Sequence, residues 1–160
     1  MEASSLAGSE QKGSGSETMR VISETVRLVT DKRLELYNLT EKVADIIKRH
    51  DIKEGMVLMS SLHTTVALFV NEWQSALLHD MKSMLNKVVD PKDGYLHNDP
   101  QHSDCDRQNA HSHLQATLLS HAVSFQVAKG KLVLGQFQAI IAAELDGPRH
   151  RDLAIQIIGR

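Results

Sequence analysis

Short strand-like runs recur along almost the whole chain, and their number is what most restricts the fold. In "MRVISETVRLVT" apolar and polar residues roughly alternate through Val21, Ser23, Val26 and Leu28, the period of a strand with one buried face. "GMVLMSS" and "TTVALFVN" are apolar or β-branched runs that read as strands flanking His63. "HAVSFQVAKGKLVLGQFQAIIAAEL" reads as a hairpin around "AKGK" followed by a further strand, and "RDLAIQIIGR" as a closing strand.

Three segments carry helical spacing instead. "NLTEKVADIIKRH" places Val43, Ile46 and Ile47 on one face, with Asn38 or Thr40 as N-cap. "WQSALLHDMKSMLNKVV" does the same through Leu77, Leu78, Met81, Met84 and Leu85 and ends before Pro91. A third helix is expected from Asn109, with Leu114, Leu118 and Leu119 as its stripe. Strands outnumber helices and the order is mixed. The expected fold is α+β: one domain with a mixed, largely antiparallel sheet and about three packed helices.

Composition fits one core. Of 160 residues, 41% are hydrophobic, enough for a single sizeable domain. Residues 1–18 are rich in Ser, Gly and Glu, with little to bury, and are expected to be a disordered leader or a remnant of expression; the domain is expected over 19–160. The formal charge of -2 is mixed along the chain without a basic block, which argues against a nucleic-acid partner. No apolar run approaches the roughly 20 residues of a membrane span, and the polar start lacks the apolar centre of a signal peptide. Cys105 stands alone, so no intrachain disulfide is possible. A cytoplasmic protein is expected.

Chemistry is concentrated in a few places. "DPKDGYLHNDPQHSDCDRQ", residues 90–108, is a polar loop too long to be an idle connection in a compact domain. "NAHSH" follows it. On a helix, His111 and His113 point about 200° apart, whereas Asn109 and His113 share a face. Asn109 is then an N-cap or first-turn residue beside His113, and His111 is supporting or superficial. If the segment is extended, both rings return to one side as a His-x-His chelate. His63, between two strands, and His97, in "GYLHND", are the other candidates; each is equally readable as an ordinary hydrogen-bonded histidine. His50, His79, His102, His121 and His150 are expected to be ordinary. Cys105 has no context that would activate it.

In "AAELDGPRHRD", Gly147 and Pro148 make a turn flanked by Glu144, Asp146, Arg149 and Arg151. Arginine presents a planar fork to carboxylate or phosphate, so these arginines either hold an anionic substrate group or fix the turn through a local carboxylate. Asn71 and Glu72 end a strand in "VNEWQ", as site residues or as a helix cap. Gln138, in "GQFQ", lines a pocket or bonds a neighbouring backbone group.

The ordered blocks "HTT", "NE", "YLH", "NAHSHL", "KGKLVLGQFQ" and "ELDGPRHR" resemble the YjbQ-like family over roughly residues 20–160. Phe137 stands where the family commonly has tryptophan. The resemblance implies an α+β fold assembled as a homotrimer, a site near His63, His97 and His113, and a secondary thiamine-phosphate synthase activity. That reaction joins a pyrimidine pyrophosphate to a thiazole phosphate. It calls for a divalent cation and for cationic side chains on the leaving phosphates. The expected assignment is His63, His97 and His113 on a divalent metal, zinc rather than oxygen-seeking magnesium. Arg149 and Arg151 hold phosphate, with Glu144 orienting one of them. Asn71, Glu72, Gln138 and Asn109 are the substrate-side candidates. The alternatives are a metal-dependent hydrolase of a small phosphorylated or carbonyl substrate, with Glu72 or Glu144 as base, and a noncatalytic trimer that binds a small molecule or metal.

Overall fold

The computed structural model describes residues 18–160. Apart from Thr18, the leader expected over 1–18 lies outside the described residues. Eight strands and three α-helices follow in the order β1 (Arg20–Val29), β2 (Glu35–Asn38), α1 (Thr40–Arg49), β3 (Gly55–Ser61), β4 (Val66–Glu72), α2 (Ser75–Val88), α3 (Ala110–Leu118), β5 (Ala122–Ala128), β6 (Lys131–Leu132), β7 (Gln138–Glu144) and β8 (His150–Gly159). The strands form two sheets rather than the one expected. One has five strands in the order β1-β8-β3-β5-β6, and the other has three, β2-β7-β4. Every pairing is antiparallel.

The alternation explains the five-stranded sheet. Val26 and Leu28 of β1, Leu153, Ile155 and Ile157 of β8, and Val57 and Met59 of β3 turn inward and are buried. Burying each such side chain contributes roughly 1.5–3 kcal/mol before chain entropy is counted. The outward positions differ: Val21, Ile158 and Met56 lie opposite one another in register and are exposed. In β7 the alternation disappears, because Ala139 through Glu144 are all buried. It is the middle strand of its sheet, so Ile140 and Ala142 join the larger core while Ala143 joins a second one.

The three-stranded sheet is therefore the central layer. On one side Val43, Ile46 and Ile47 of α1 share a core with the five-stranded sheet. On the other, Leu85 of α2 and Ala116 of α3 pack with Ala67, Ala143 and Leu145. No helix among the described residues is long and apolar enough to cross a membrane.

Local chemistry sets the joints. Lys129 and Gly130 have φ of 53° and 76°, so "AKGK" closes a two-residue hairpin of the type that needs positive φ twice. Helix α1 begins differently from the expectation: Leu39 occupies the N-cap position. Thr40 Oγ1 is engaged by the Ile140 N–H at 3.0 Å, while Asn38 Oδ1 accepts from Thr40 N at 3.0 Å. The long polar loop holds one short 3-10 turn, Leu96–Asn98. It is tied to α3 where Ala110 N donates to Asn98 Oδ1 at 3.0 Å.

Candidate functional site

The turn between β7 and β8 carries the chain from one sheet to the other, and its flanks meet in the interior. Arg151 donates to Glu144 through Nε and Nη2, both at 2.6 Å, with side-chain exposures of only 3% and 1%. Thr30 Oγ1 at 3.1 Å and Asp146 N at 2.8 Å also donate to the Glu144 carboxylate. Thr65 Oγ1 accepts from Arg151 Nη2 at 3.0 Å. Both charges are hydrogen-bonded on several sides, the condition under which a buried pair is tolerated. Gly147 is required in this turn, since a Cβ there would stand 2.3 Å from Lys32 O and 2.8 Å from Thr30 Oγ1.

Asp146 forms a second knot beside the first. Its Oδ2 accepts from Arg107 Nε and from Asn109 Nδ2, each at 2.9 Å, and Arg107 Nη2 donates to its carbonyl at 3.2 Å. Arg149 and Arg33 approach the same carboxylate at 3.6 and 3.5 Å. Burial pushes the Asp146 carboxyl up, but the Arg107 and Asn109 hydrogen bonds and the charges of Arg107 and Arg149 outweigh it and hold it below the usual range.

The histidines come from three loops and a helix end. His63 sits between β3 and β4, where Ser61 Oγ accepts from its N–H at 3.2 Å and donates to its carbonyl at 3.1 Å. Its Nε2 accepts the Asp152 N–H at 2.9 Å. A backbone amide can only donate, so neutral His63 carries its proton on Nδ1. Burial first, and then the Arg151 charge, hold His63 below its ordinary value. His113, on α3, meets the His97 ring edge to face at 5.1 Å. Burial and the neighbouring His97 lower it too. Both are therefore neutral imidazoles at pH 7. His63 and His113 line one cleft of about 490 Å³ together with Thr64, Thr117 and His121. His113 also borders a more apolar hollow of about 570 Å³ with His97, Tyr95 and Leu96.

The lineage follows from comparison. A family model described as UPF0047 protein YjbQ-like matches residues 24–160. The chain belongs to the YjbQ-like UPF0047 family. It is 37% identical over 142 residues to a UPF0047 protein of Methanothermobacter thermautotrophicus, covering 89% of this chain and 95% of that one. A UPF0047 protein of Archaeoglobus fulgidus is 38% identical over 133 residues, covering 82% and 97%. In three dimensions the chain superposes on a YbjQ-like protein of unknown function from Sulfolobus solfataricus with a TM-score of 0.82. That pair is 33% identical, with 89% of this chain and 100% of the other covered.

Within this YjbQ-like chain the expected site residues fall into separate groups. His63 and His113 meet across the cleft, but His97 touches His113 from its other side. Among the described residues no three His, Cys, Asp or Glu side chains converge to hold a metal ion. With His63 Nε2 already engaged, the donors of one chain do not fit a tris-histidine zinc centre in this arrangement. Arg151, expected to grip phosphate, instead faces Glu144 in the interior; of the expected pair, only Arg149 retains a half-buried side chain at the surface. Asn109 holds the N-cap position of α3 without a capping bond: its Nδ2 donates to Asp146 Oδ2 and its Oδ1 accepts from Cys105 Sγ at 3.4 Å.

Asn71, Glu72 and Gln138 lie elsewhere. Val66 pairs with Glu144 at one end of β4 and Glu72 with Gln138 at the other, so six strand steps, roughly 20 Å, separate them from the Glu144 end. Gln138 Oε1 accepts from Gly135 N at 2.8 Å and closes its own turn. His121, Arg33, Arg107 and Thr65 were not foreseen from sequence. No spacing rule finds them, since His121 reaches the cleft, Thr65 reaches Arg151, and Arg33 and Arg107 reach Asp146 only after the two sheets and the long loop come together.

Proposed function

We propose that this YjbQ-like protein is an enzyme acting on a small phosphorylated substrate in the cleft shared by His63 and His113, and that it joins a pyrimidine pyrophosphate to a thiazole phosphate. The observation that carries the reading is the pair of neutral imidazoles on one cleft of about 490 Å³, with the hydroxyls of Thr64 and Thr117 beside them. That volume lies within the range of small-molecule sites. Arg149, on the turn that leads into β8, keeps about a third of its side chain open and is the cation this reading assigns to the leaving phosphates.

In the joining step the thiazole nitrogen attacks the methylene carbon of the pyrimidine, a C–N bond forms, and the C–O bond to pyrophosphate breaks with its electron pair leaving on oxygen. Negative charge therefore grows on the leaving group. His63 offers Nδ1–H, and Arg149 a fixed positive charge, to that oxygen; preorganised donors of this kind are where most rate enhancement in such reactions originates. His113 orients the substrate from the facing wall. The hydrolytic alternative is less well supported: Glu144 is held by Arg151, and Glu72 stands at the far end of β4.

Assembly as a homotrimer belongs to the same proposal. The exposed apolar row of Val21, Ile158 and Met56 on the outer sheet face supports it. Steady-state synthesis of thiamine phosphate by the pure protein, with and without a chelator, tests the reaction. Turnover above background is expected, and its absence under both conditions removes the assignment.

A further inference from the structure

Three arginines from distant parts of the chain surround one buried carboxylate. Arg33 precedes β2, Arg107 ends the long polar loop, and Arg149 follows the Gly147–Pro148 turn, yet all three reach Asp146 within 3.6 Å. Asp146 is 1% exposed, whereas each arginine keeps a third to a half of its side chain open. Even with exposed Asp106 next to Arg107 counted, one positive charge is left over. Like charges this close repel unless a further anion joins them.

A second observation points the same way. Arg149 Nε is buried and has no hydrogen-bond partner among the described residues. A guanidinium N–H cut off from water and left unpaired costs free energy that an incoming acceptor removes. Arg33 also borders a cavity of about 370 Å³ with Gln108 and His111, which leaves room on the Arg33 side of the cluster.

We infer that Arg33, Arg107 and Arg149, organised by Asp146, form a binding site for a phosphoryl anion of the pyrophosphate class. Asp146 holds Arg107 by two hydrogen bonds and draws Arg33 and Arg149 to ion-pair distance, while Arg33 Nη2 also donates to Gln108 O at 3.0 Å. The remaining N–H groups are offered to phosphate oxygens, as the planar fork allows. The inference rests on the phosphoryl-substrate reading above for the identity of the anion, and it assigns Arg33 and Arg107 roles that the cleft alone does not need.

Titration calorimetry of the full chain with inorganic pyrophosphate tests it. Arg149→Gln breaks no side-chain hydrogen bond among the described residues, and Arg107→Lys keeps a positive charge beside Asp146, so both variants are expected to fold. Each should weaken pyrophosphate binding by about tenfold or more, while Lys131→Gln on the distant hairpin leaves it unchanged. Wild-type protein that binds no pyrophosphate overturns the inference, as do variants that lose thermal stability but bind as wild type does. Pyrophosphate binding without thiamine-phosphate turnover removes the reaction and keeps this site. Turnover with no pyrophosphate affinity removes this site and keeps the reaction.

Discussion

Arg151 and Glu144 close a two-point ion pair in the interior, with both N–O distances at 2.6 Å. They flank the turn that joins the two sheets, so the pair fixes the geometry from which Asp146 and Arg149 project. Removing one partner strands the other charge away from water. Arg151→Ala and Glu144→Ala are each expected to lower unfolding stability by about 3–5 kcal/mol, measured by urea denaturation. A loss below 1 kcal/mol in both would mean that the pair has no structural role.

Gly147 leads to a second prediction at the same turn. Its missing side chain lets Lys32 O and Thr30 Oγ1 close in, so Gly147→Ala must push the β1–β2 connection outward. A loss of about 1–3 kcal/mol is expected, accompanied by weaker substrate binding because Arg149 shifts with the turn. Thermal unfolding that matches the wild type would show that the connection yields freely.

The tautomer of His63 is a third prediction. Because Asp152 N–H donates to Nε2, the proton should reside on Nδ1 at pH 7.5. Nitrogen chemical shifts of selectively labelled histidine distinguish the two forms directly. An Nε2–H form at His63 would remove the donor assigned to the leaving group.

Acid should weaken the fold at mild pH. His63, His111 and His113 are all held below the ordinary value of 6.5, chiefly by burial. Below that value the unfolded chain takes up protons that the folded chain refuses, so their contribution is complete above about pH 6.5 and is lost as pH falls toward the folded values. Melting temperature is expected to be level from pH 8 to 7 and to decline from about pH 6.5 downward. A melting temperature that rises on acidification through this window would reverse the sign of the argument.

Much of the fold was legible because period-two burial is written directly into β1 and β8, where Val26, Leu28, Leu153, Ile155 and Ile157 mark one face. The split into two sheets was not, since β7 is buried on both faces and its run of small and branched residues names no partner. Strand β2 also escaped notice, because its four residues, Glu35–Asn38, show no alternation of burial. In the site, the helical geometry of Asn109 and His113 was readable from a spacing of four. The pairing of Arg151 with Glu144, rather than with a ligand, was not, because a charged turn reads alike whether its arginines face inward or outward. Arg33 and Arg107 reach Asp146 from 113 and 39 residues away along the chain, beyond any local pattern.

The most direct test of the account is the rate of thiamine-phosphate formation by wild type, His63→Ala, His113→Ala and, as a control on the exposed face of α2, His79→Ala. The cleft reading predicts wild-type turnover, a fall of about 100-fold or more in kcat/KM for the first two variants, and no change for the third. Equal rates in all four proteins, or none above background in any, would contradict it.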